Sequence, residues 1–272
     1  MNISNSLIRE SERAHYIMQL SSYFSELTDL PGVRFAFTHL FTDIWYNQAY
    51  DINWSADKFD QLISTVEDYC KRRDRFPCLY LTPASKPDEI RDILKARGYD
   101  KFEDEAWMFY DFEENKKPYS MPKEISISEA SSDKDLEIFA EVYRQGLPGP
   151  EVEKYIQATI DGFHNKPPLV DIRYFVAFYE REPASMLSFL KVEQYVGIYA
   201  VATIGKFQKK GLARALNRHA AGLAENMGAK YMFIQTVVGE DSETGFNKLG
   251  YKTWYVRDGF TTKDVISSLE HG

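Results

Sequence analysis

Residues 203–216 read Thr203-Ile204-Gly205-Lys206-Phe207-Gln208-Lys209-Lys210-Gly211-Leu212-Ala213-Arg214-Ala215-Leu216. The run before this stretch, Tyr195 to Thr203, is strand-like, and the run from Gly211 to Met227 carries an apolar stripe at helical spacing. The stretch is therefore predicted to be a polar turn that joins a strand to a helix. Gly211 leaves space where the helix begins. Several backbone N–H groups can then point outward together, an arrangement that is typical of phosphate-binding sites.

The composition is that of an ordinary globular protein. The chain has 272 residues, of which 44% are hydrophobic and 27% are charged, so it suits one large domain or two smaller ones. A net charge of −8 and the absence of a long basic run argue against a nucleic-acid partner. No stretch has the length of a membrane span and the first residues lack a signal pattern, so we expect a cytoplasmic protein that does not bind membranes.

The chain is predicted to hold two lobes. Residues 113–123 are polar and charged and contain two prolines, which is typical of a linker. We therefore expect one lobe over residues 1–115 and a second over residues 122–272. Neither lobe contains cysteines or histidines at metal-ligand spacing, and we expect no metal.

The second lobe is predicted to be mixed α/β. Its patterns give the order strand, two helices, three strands, helix, strand, helix, strand, which indicates a central mixed sheet flanked by helices. The last helix and strand meet in Gly245-Phe246-Asn247-Lys248-Leu249-Gly250-Tyr251.

Two motifs and the element order carry a family resemblance. Gln208-x-x-Gly211-x-Ala213 resembles the coenzyme A pyrophosphate signature of the GNAT superfamily of N-acetyltransferases, and residues 245–251 resemble the end of the same fold. The resemblance covers about residues 124–257. The first half repeats the order strand, helix, Gly-Tyr, strand at residues 78–99 but lacks the glycine-containing turn, so it resembles a degenerate GNAT-like lobe.

The resemblance implies acetyl-CoA as co-substrate, held in three places. The pyrophosphate is expected at a group of residues in and after the turn: Gln208, Lys209, Lys210, Gly211, Leu212, Ala213 and Arg214. The pantetheine arm is expected along Val201, Ala202 and Thr203, and Phe246 is expected beside the coenzyme. The implied reaction is acetyl transfer to a primary amine of a small molecule, or to an exposed amino group, by direct attack in a ternary complex. We expect a monomer or a homodimer.

The proton-transfer groups remain open. The family often places a tyrosine acid where this chain has Phe246, and phenylalanine cannot donate a proton. Tyr251, Tyr255 and Ser242 are alternatives for the acid.

Glu193 and Tyr199 are the candidates for the base, since an amine at neutral pH must lose a proton before it attacks. The missing acid also keeps a second interpretation open, a non-catalytic module that binds acyl-CoA as a regulator or sensor.

Overall fold

The computed structural model describes residues 3–20, 22–116 and 118–269. Within these ranges the helices are α1 (Asn5–Gln19), α2 (Phe59–Lys71), α3 (Pro87–Ala96), α4 (Asp133–Gly146), α5 (Val152–His164), α6 (Leu212–Asn226), α7 (Asp241–Leu249) and α8 (Lys263–Leu269). The strands are β1 (Glu26–Leu30), β2 (Val33–Phe37), β3 (Gln48–Tyr50), β4 (Cys78–Leu81), β5 (Tyr99–Tyr110), β6 (Ile125–Glu129), β7 (Asp171–Tyr179), β8 (Glu182–Val192), β9 (Tyr195–Thr203), β10 (Tyr231–Val237) and β11 (Tyr251–Thr262).

The chain divides into two compact units that are not continuous in sequence. The first unit comprises Met1–Met108, Gln235–Thr244 and Thr253–Gly272, and the second comprises Phe109–Ile234 and Gly245–Lys252. This division by compactness differs from the linear division at residues 1–115 and 122–272. The linear boundary describes how the sequence is organised, and it stays a prediction.

The second unit is built on a mixed sheet in the order β10-β9-β8-β7-β6. Strands β6 to β9 pair antiparallel, and β9 pairs parallel with β10. Helix α4 packs on β7, β8 and β9, and α6 packs on β6 to β9. Residues 184–190 of β8 are all buried, as expected of a strand that has both faces covered. The mixed sheet with flanking helices that the sequence predicts is thus present.

The first unit has a sheet in the order β1-β2-β3-β4-β11-β5. Strands β1 to β3 pair antiparallel, β3 pairs parallel with β4, and β4 pairs antiparallel with β11. The apolar faces of α2 and α3 pack against this sheet in one core. Its members include Leu62, Val66, Ile90 and Leu94 from the helices and Phe35, Leu79, Leu81 and Phe260 from the strands.

The two largest differences from the predicted element bounds concern α1 and the last strand. The apolar period over residues 6–27 predicts one long helix, but α1 ends at Gln19 because Leu20 is extended, with ψ 132°. Residues 26–30 instead form β1 against β2, a pairing between segments that local periodicity cannot show. The last strand, predicted over residues 251–256, continues to Thr262, where residues 258–261 pair with β4.

Candidate functional site

A β-bulge interrupts β9 just before its end. Met186 pairs with Ala202 and Ser188 pairs with Tyr199, so Ala200 and Val201 together face one residue of β8. Ala200 has a positive φ of 49°, which a non-glycine residue adopts only when the surrounding structure requires it. A bulge bends its strand and increases the local twist. The final residues of β9 are therefore turned away from the line of its first half.

The bulge coincides with the end of the pairing between β9 and β10. The paired residues are Tyr195 to Gly197 on β9 and Tyr231 to Phe233 on β10. Beyond Gly197, no described residue of β10 in this unit pairs with β9. A strand edge of this kind can bind an extended ligand through its backbone groups.

Val201, Ala202 and Thr203, which are predicted to hold the pantetheine arm of the coenzyme, lie on the last part of β9, after the bulge. Ala202 is buried, and its carbonyl accepts a hydrogen bond of 2.6 Å from the hydroxyl of Ser185. Ser185 Oγ also lies 2.8 Å from Thr203 Oγ1. These contacts hold Ala202 and Thr203 of β9 against β8. Ser185 was not predicted from the sequence, because nothing in an apolar run shows which strand neighbour a serine will contact.

Gly146 is a second residue that sequence reasoning missed. It is the last residue of α4, and a Cβ built on it would lie 2.8 Å from Cβ of Ala202. The absence of a side chain at this position therefore allows the end of α4 to approach β9 closely.

The turn that follows β9 leaves backbone donors free. Within the described ranges, the six consecutive N–H groups from Lys209 to Arg214 have no backbone acceptor, and the first intrahelical bond runs from Ala215 N to the carbonyl of Gly211. Gly211 is the N-cap of α6 and supplies no side-chain cap. Lys209 and Gly211 have positive φ angles of 63° and 86°. Alternation of such conformations makes a concave cluster of N–H groups that binds anions.

The turn is also open and positively charged. A Cβ built on Gly211 would meet no atom within 4 Å. Lys209 and Lys210 are exposed, and neither forms an ion pair with any carboxylate that the structure describes. Lys210 Nζ lies 4.4 Å from the ring centroid of Tyr179. The N-terminus of α6 adds about half a positive charge. The turn therefore has the features of an anion-binding site.

Helix α7 is tied to the start of α6. Asn217 Nδ2 donates to the carbonyl of Leu249 at 3.2 Å, and Arg214 Nη2 lies 3.5 Å from the carbonyl of Lys248. The predicted coenzyme residue Phe246 lies on this part of α7, half-buried, with its ring 6.0 Å from that of Tyr251. The structure thus brings Phe246 and Tyr251 together.

Tyr251 is enclosed rather than presented to a ligand. It is buried, and its hydroxyl donates to Asn217 Oδ1 at 2.8 Å. Burial raises its pKa well above the ordinary value for tyrosine. This geometry gives Tyr251 a structural partner, and its catalytic assignment stays a prediction that these contacts do not support.

The two base candidates lie in different places. Glu193 is exposed in the turn between β8 and β9, at the opposite end of β9 from Thr203, and eight strand residues at about 3.3 Å each separate Tyr195 from that end. Tyr199 lies at the bulge, where a Cβ on Gly197 would meet its ring. The fold brings Tyr199 to the bulge and leaves Glu193 remote from it, and both roles stay predictions.

The described residues contain no group of three or more His, Cys, Asp or Glu that could hold a metal ion. None of the helices in this part of the chain is both long enough and apolar enough to cross a membrane.

Comparison with known proteins finds one family model that matches part of this chain, and several solved structures with a similar fold. The sequence model of the Acetyltransferase (GNAT) family matches residues 136–251 of this chain. A GCN5-related N-acetyltransferase from Kribbella flavida has a similar structure, with a TM-score of 0.72 and 12% identity over 97% of this chain and 96% of that chain. One from Sphaerobacter thermophilus gives a TM-score of 0.63 and 12% identity over 84% of this chain and 76% of that chain.

The likeness includes a two-lobed relative. A tandem GNAT protein from the clavulanic acid biosynthesis pathway gives a TM-score of 0.60 and 10% identity over 85% of this chain and 78% of that chain. At such identities these structures show the fold, and they confirm the predicted mixed α/β fold and the GNAT-like fold of the N-terminal lobe. A search of curated proteins finds no match.

Proposed function

We propose that this chain, whose residues 136–251 match the GNAT acetyltransferase family model, transfers an acetyl group from acetyl-CoA to a primary amine of a small molecule or to an exposed amino group. The observation that supports the proposal most directly is the row of free N–H groups from Lys209 to Arg214, set at the positive end of α6. A diphosphate accepts several such hydrogen bonds at once.

The strand that leads into the turn fits the arm of the coenzyme. Residues 201–203 follow the bulge of β9, where pairing with β10 has ended. The pantetheine arm contains amide groups, so it can lie along this edge as an added strand does. The thioester would then lie beside the bulge, close to Tyr199.

The reaction needs few groups. A neutral amine attacks the thioester carbonyl, the C–N bond forms, the C–S bond breaks, and the proton lost by nitrogen ends on the thiolate or in solvent. Since a primary ammonium has a pKa of about 10.4, a base must first remove its proton. Tyr199 is the candidate that the fold places near the bulge. The net charge of −8 suits a cationic acceptor.

A second function is favoured by one residue. Phe246 stands where a proton donor for the thiolate is expected, and its ring cannot supply one. A module that binds acyl-CoA without turnover, as a regulator or sensor, would have no need of such a donor.

Two measurements test the proposal. Acetyl-CoA should raise the melting temperature, and free thiol should then appear when acetyl-CoA is mixed with members of a panel of primary amines. A thermal shift without thiol release from any amine would favour the binding module. Absence of both would contradict both functions.

Substitution of Gly211 tests the phosphate turn. Gly211→Glu places a carboxylate among the free N–H groups of the turn and should abolish the thermal shift caused by acetyl-CoA. Gly228→Glu is the matched control, because Gly228 also has a positive φ, 71°, and open surroundings, but lies just after α6 ends. Both variants should lose similar stability, and only Gly211→Glu should lose coenzyme binding. Equal binding by both variants would refute the assignment of the turn.

A further inference from the structure

Trp45 is an exposed tryptophan on the first compact unit. It lies in the segment between β2 and β3 and is 40% exposed, although tryptophan is highly buried on average. Its ring meets that of Phe102 in β5 at 79°, with the two ring centroids 6.2 Å apart. The two rings therefore form a corner, and both residues belong to the first unit.

A carboxylate is held at this corner. Glu103 Oε2 accepts a hydrogen bond of 3.0 Å from the indole N–H of Trp45, and Glu103 Oε1 accepts one of 2.7 Å from the hydroxyl of Tyr80. A carboxylate has roughly four acceptor positions, so each oxygen keeps one for a further donor. The Glu103 side chain is half-buried, so part of it is open to solvent.

Glu103 differs from its neighbours in β5, which are paired with cations. Asp104 forms an ion pair of 2.7 Å with Lys101, and Glu105 forms one with the buried Arg257. Within the described ranges, no lysine, arginine or histidine forms an ion pair with Glu103. A carboxylate that is held by neutral donors keeps its negative charge for a ligand.

Close packing fixes the aromatic rings around Glu103. Gly259 of β11 pairs with Tyr80, and a Cβ built on Gly259 would lie 2.8 Å from the ring of Phe102 and 3.2 Å from that of Tyr80. The missing side chain therefore lets both rings lie close to β11. Arg257 already lies over the Tyr80 ring, 3.9 Å from its centroid. The aromatic surface that is left for a ligand is that of Trp45 and Phe102.

The charge of the chain is unevenly divided between the two units. The first unit contains 24 of the 41 acidic residues and 15 of the 33 lysines and arginines, which gives it a net charge of −9, whereas the second unit has +1. Beside β5, the Val238 N–H donates to the carbonyl of Asp104 at 2.9 Å, and the exposed Glu240 and Asp241 follow. The first unit therefore attracts cations beyond the corner itself.

We propose that this corner binds a lysine or arginine side chain of a basic polypeptide, with the alkyl stem against Phe102 and the charged group over Trp45 and beside Glu103. The face of an indole ring attracts a cation, and a carboxylate adds a charge-assisted hydrogen bond. The partner is a polypeptide because the negative charge extends beyond the corner, so neighbouring basic residues add to the attraction. The proposal goes beyond acetyl transfer and uses no residue of the coenzyme turn.

Fluorescence anisotropy with a labelled peptide tests the site. Fluorescein-labelled hexalysine is titrated with the full chain at low salt, beside the same peptide with its side-chain amines acetylated. The wild-type chain should bind hexalysine and not the acetylated peptide, because acetylation removes the positive charge. Unlabelled Nα-acetyl-lysine amide should compete about 100-fold more weakly than unlabelled hexalysine. Absence of hexalysine binding, or equal competition by the single lysine, overturns the proposal.

Two pairs of variants locate the binding. Glu103→Gln should weaken hexalysine about tenfold, as expected for one charge-assisted contact, whereas Asp92→Asn, the same loss of charge on the exposed side of α3, should weaken it less than about twofold. Trp45→Ala should weaken hexalysine about fivefold through the lost cation–π contact. Leu40→Ala, which also removes an exposed apolar side chain of the first unit, should leave binding unchanged.

The controls separate a defined site from the general charge of the unit. Equal weakening by Glu103→Gln and Asp92→Asn would assign the binding to the overall charge and overturn the proposal. A Trp45→Ala chain that binds as tightly as the wild type overturns it as well. Trp45→Leu has the same expected loss and keeps the test decisive if Trp45→Ala lowers the melting temperature. The thermal shift caused by acetyl-CoA should be the same in all these variants, so failure here leaves the proposed function standing.

Discussion

The hydroxyl of Tyr251, at the start of β11, donates a hydrogen bond of 2.8 Å to the side-chain oxygen of Asn217 in α6. The side-chain amide of Asn217 in turn donates a hydrogen bond to the carbonyl of Leu249 at the end of α7. Both side chains are buried. The pair therefore fixes the helix whose first turn faces the proposed coenzyme.

Tyr251→Phe tests whether this hydroxyl is structural. Removal of the donor leaves Asn217 Oδ1 buried without it, so the free energy of unfolding should fall by about 1–3 kcal/mol in urea titrations. The rate of thiol release at saturating acetyl-CoA should change less than twofold. A large loss of rate at unchanged stability would instead make Tyr251 a proton donor.

Phe246→Tyr tests whether an acid is missing. A hydroxyl at this position could protonate the leaving thiolate, and one positioned acid typically contributes a factor of 10² or more. We expect thiol release to increase at least tenfold. Phe246→Leu is the control, since it changes the ring without adding a donor. A chain in which neither substitution alters the rate has no need of an acid at this position.

Glu12→Gln tests a buried carboxyl in the first unit. Glu12 is fully buried, both of its oxygens lack hydrogen-bond partners within the described residues, and Arg257 Nη1 is 3.6 Å away. Burial raises the pKa of Glu12 from 4.5 to about 8, with Arg257 opposing the rise, Asp51 and Glu105 adding to it, and Arg9 opposing it weakly.

The sign of the effect follows from the raised pKa. Glu12 keeps its proton in the folded chain more firmly than in the unfolded chain, so its contribution to stability is full below pH 4.5 and is lost as the pH rises through 8. Glutamine cannot ionise. Glu12→Gln should match the wild type at pH 5 to within about 1 kcal/mol and exceed it at pH 9 by roughly 4 kcal/mol, since one pKa unit is worth about 1.4 kcal/mol.

Urea titrations at pH 5, 7 and 9 measure this difference. Glu10→Gln is the control, because Glu10 is exposed on the same helix and should leave the pH dependence unchanged. Parallel stability curves for Glu12→Gln and the wild type would show that Glu12 is ionised in the folded chain.

Gly146→Ala tests the close approach of α4 to β9. The added methyl group would meet Ala202, so overpacking should lower stability by about 1–3 kcal/mol and weaken coenzyme binding through the displaced strand. Gly245→Ala, in the open part of α7, should raise stability by up to about 1 kcal/mol, since alanine favours helix. If Gly146→Ala is as stable as Gly245→Ala, Ala202 moves away from the added methyl group without a loss of stability.

The turn and its flanking elements could be predicted because their signals are local. Strand β9 has the bounds that the sequence predicts, Tyr195–Thr203, and α6 begins one residue after Gly211. Each of these elements shows a period over its own length, and Gly211 supplies the positive φ that the turn requires. By contrast, α1 stops short of its predicted end because residues 26–30 pair with β2.

The sequence alone determined the mixed α/β fold, the GNAT resemblance of both lobes and the chemistry available at the start of α6, since periodicity, turn residues and motif spacing act over a few neighbouring residues. Only the tertiary structure decided that β9 bulges at Ala200, that Tyr251 is enclosed by Asn217, and that Arg218 lines a cavity. Those features depend on strand register and on which surfaces become buried together. Both are set by packing between segments that are distant in the chain.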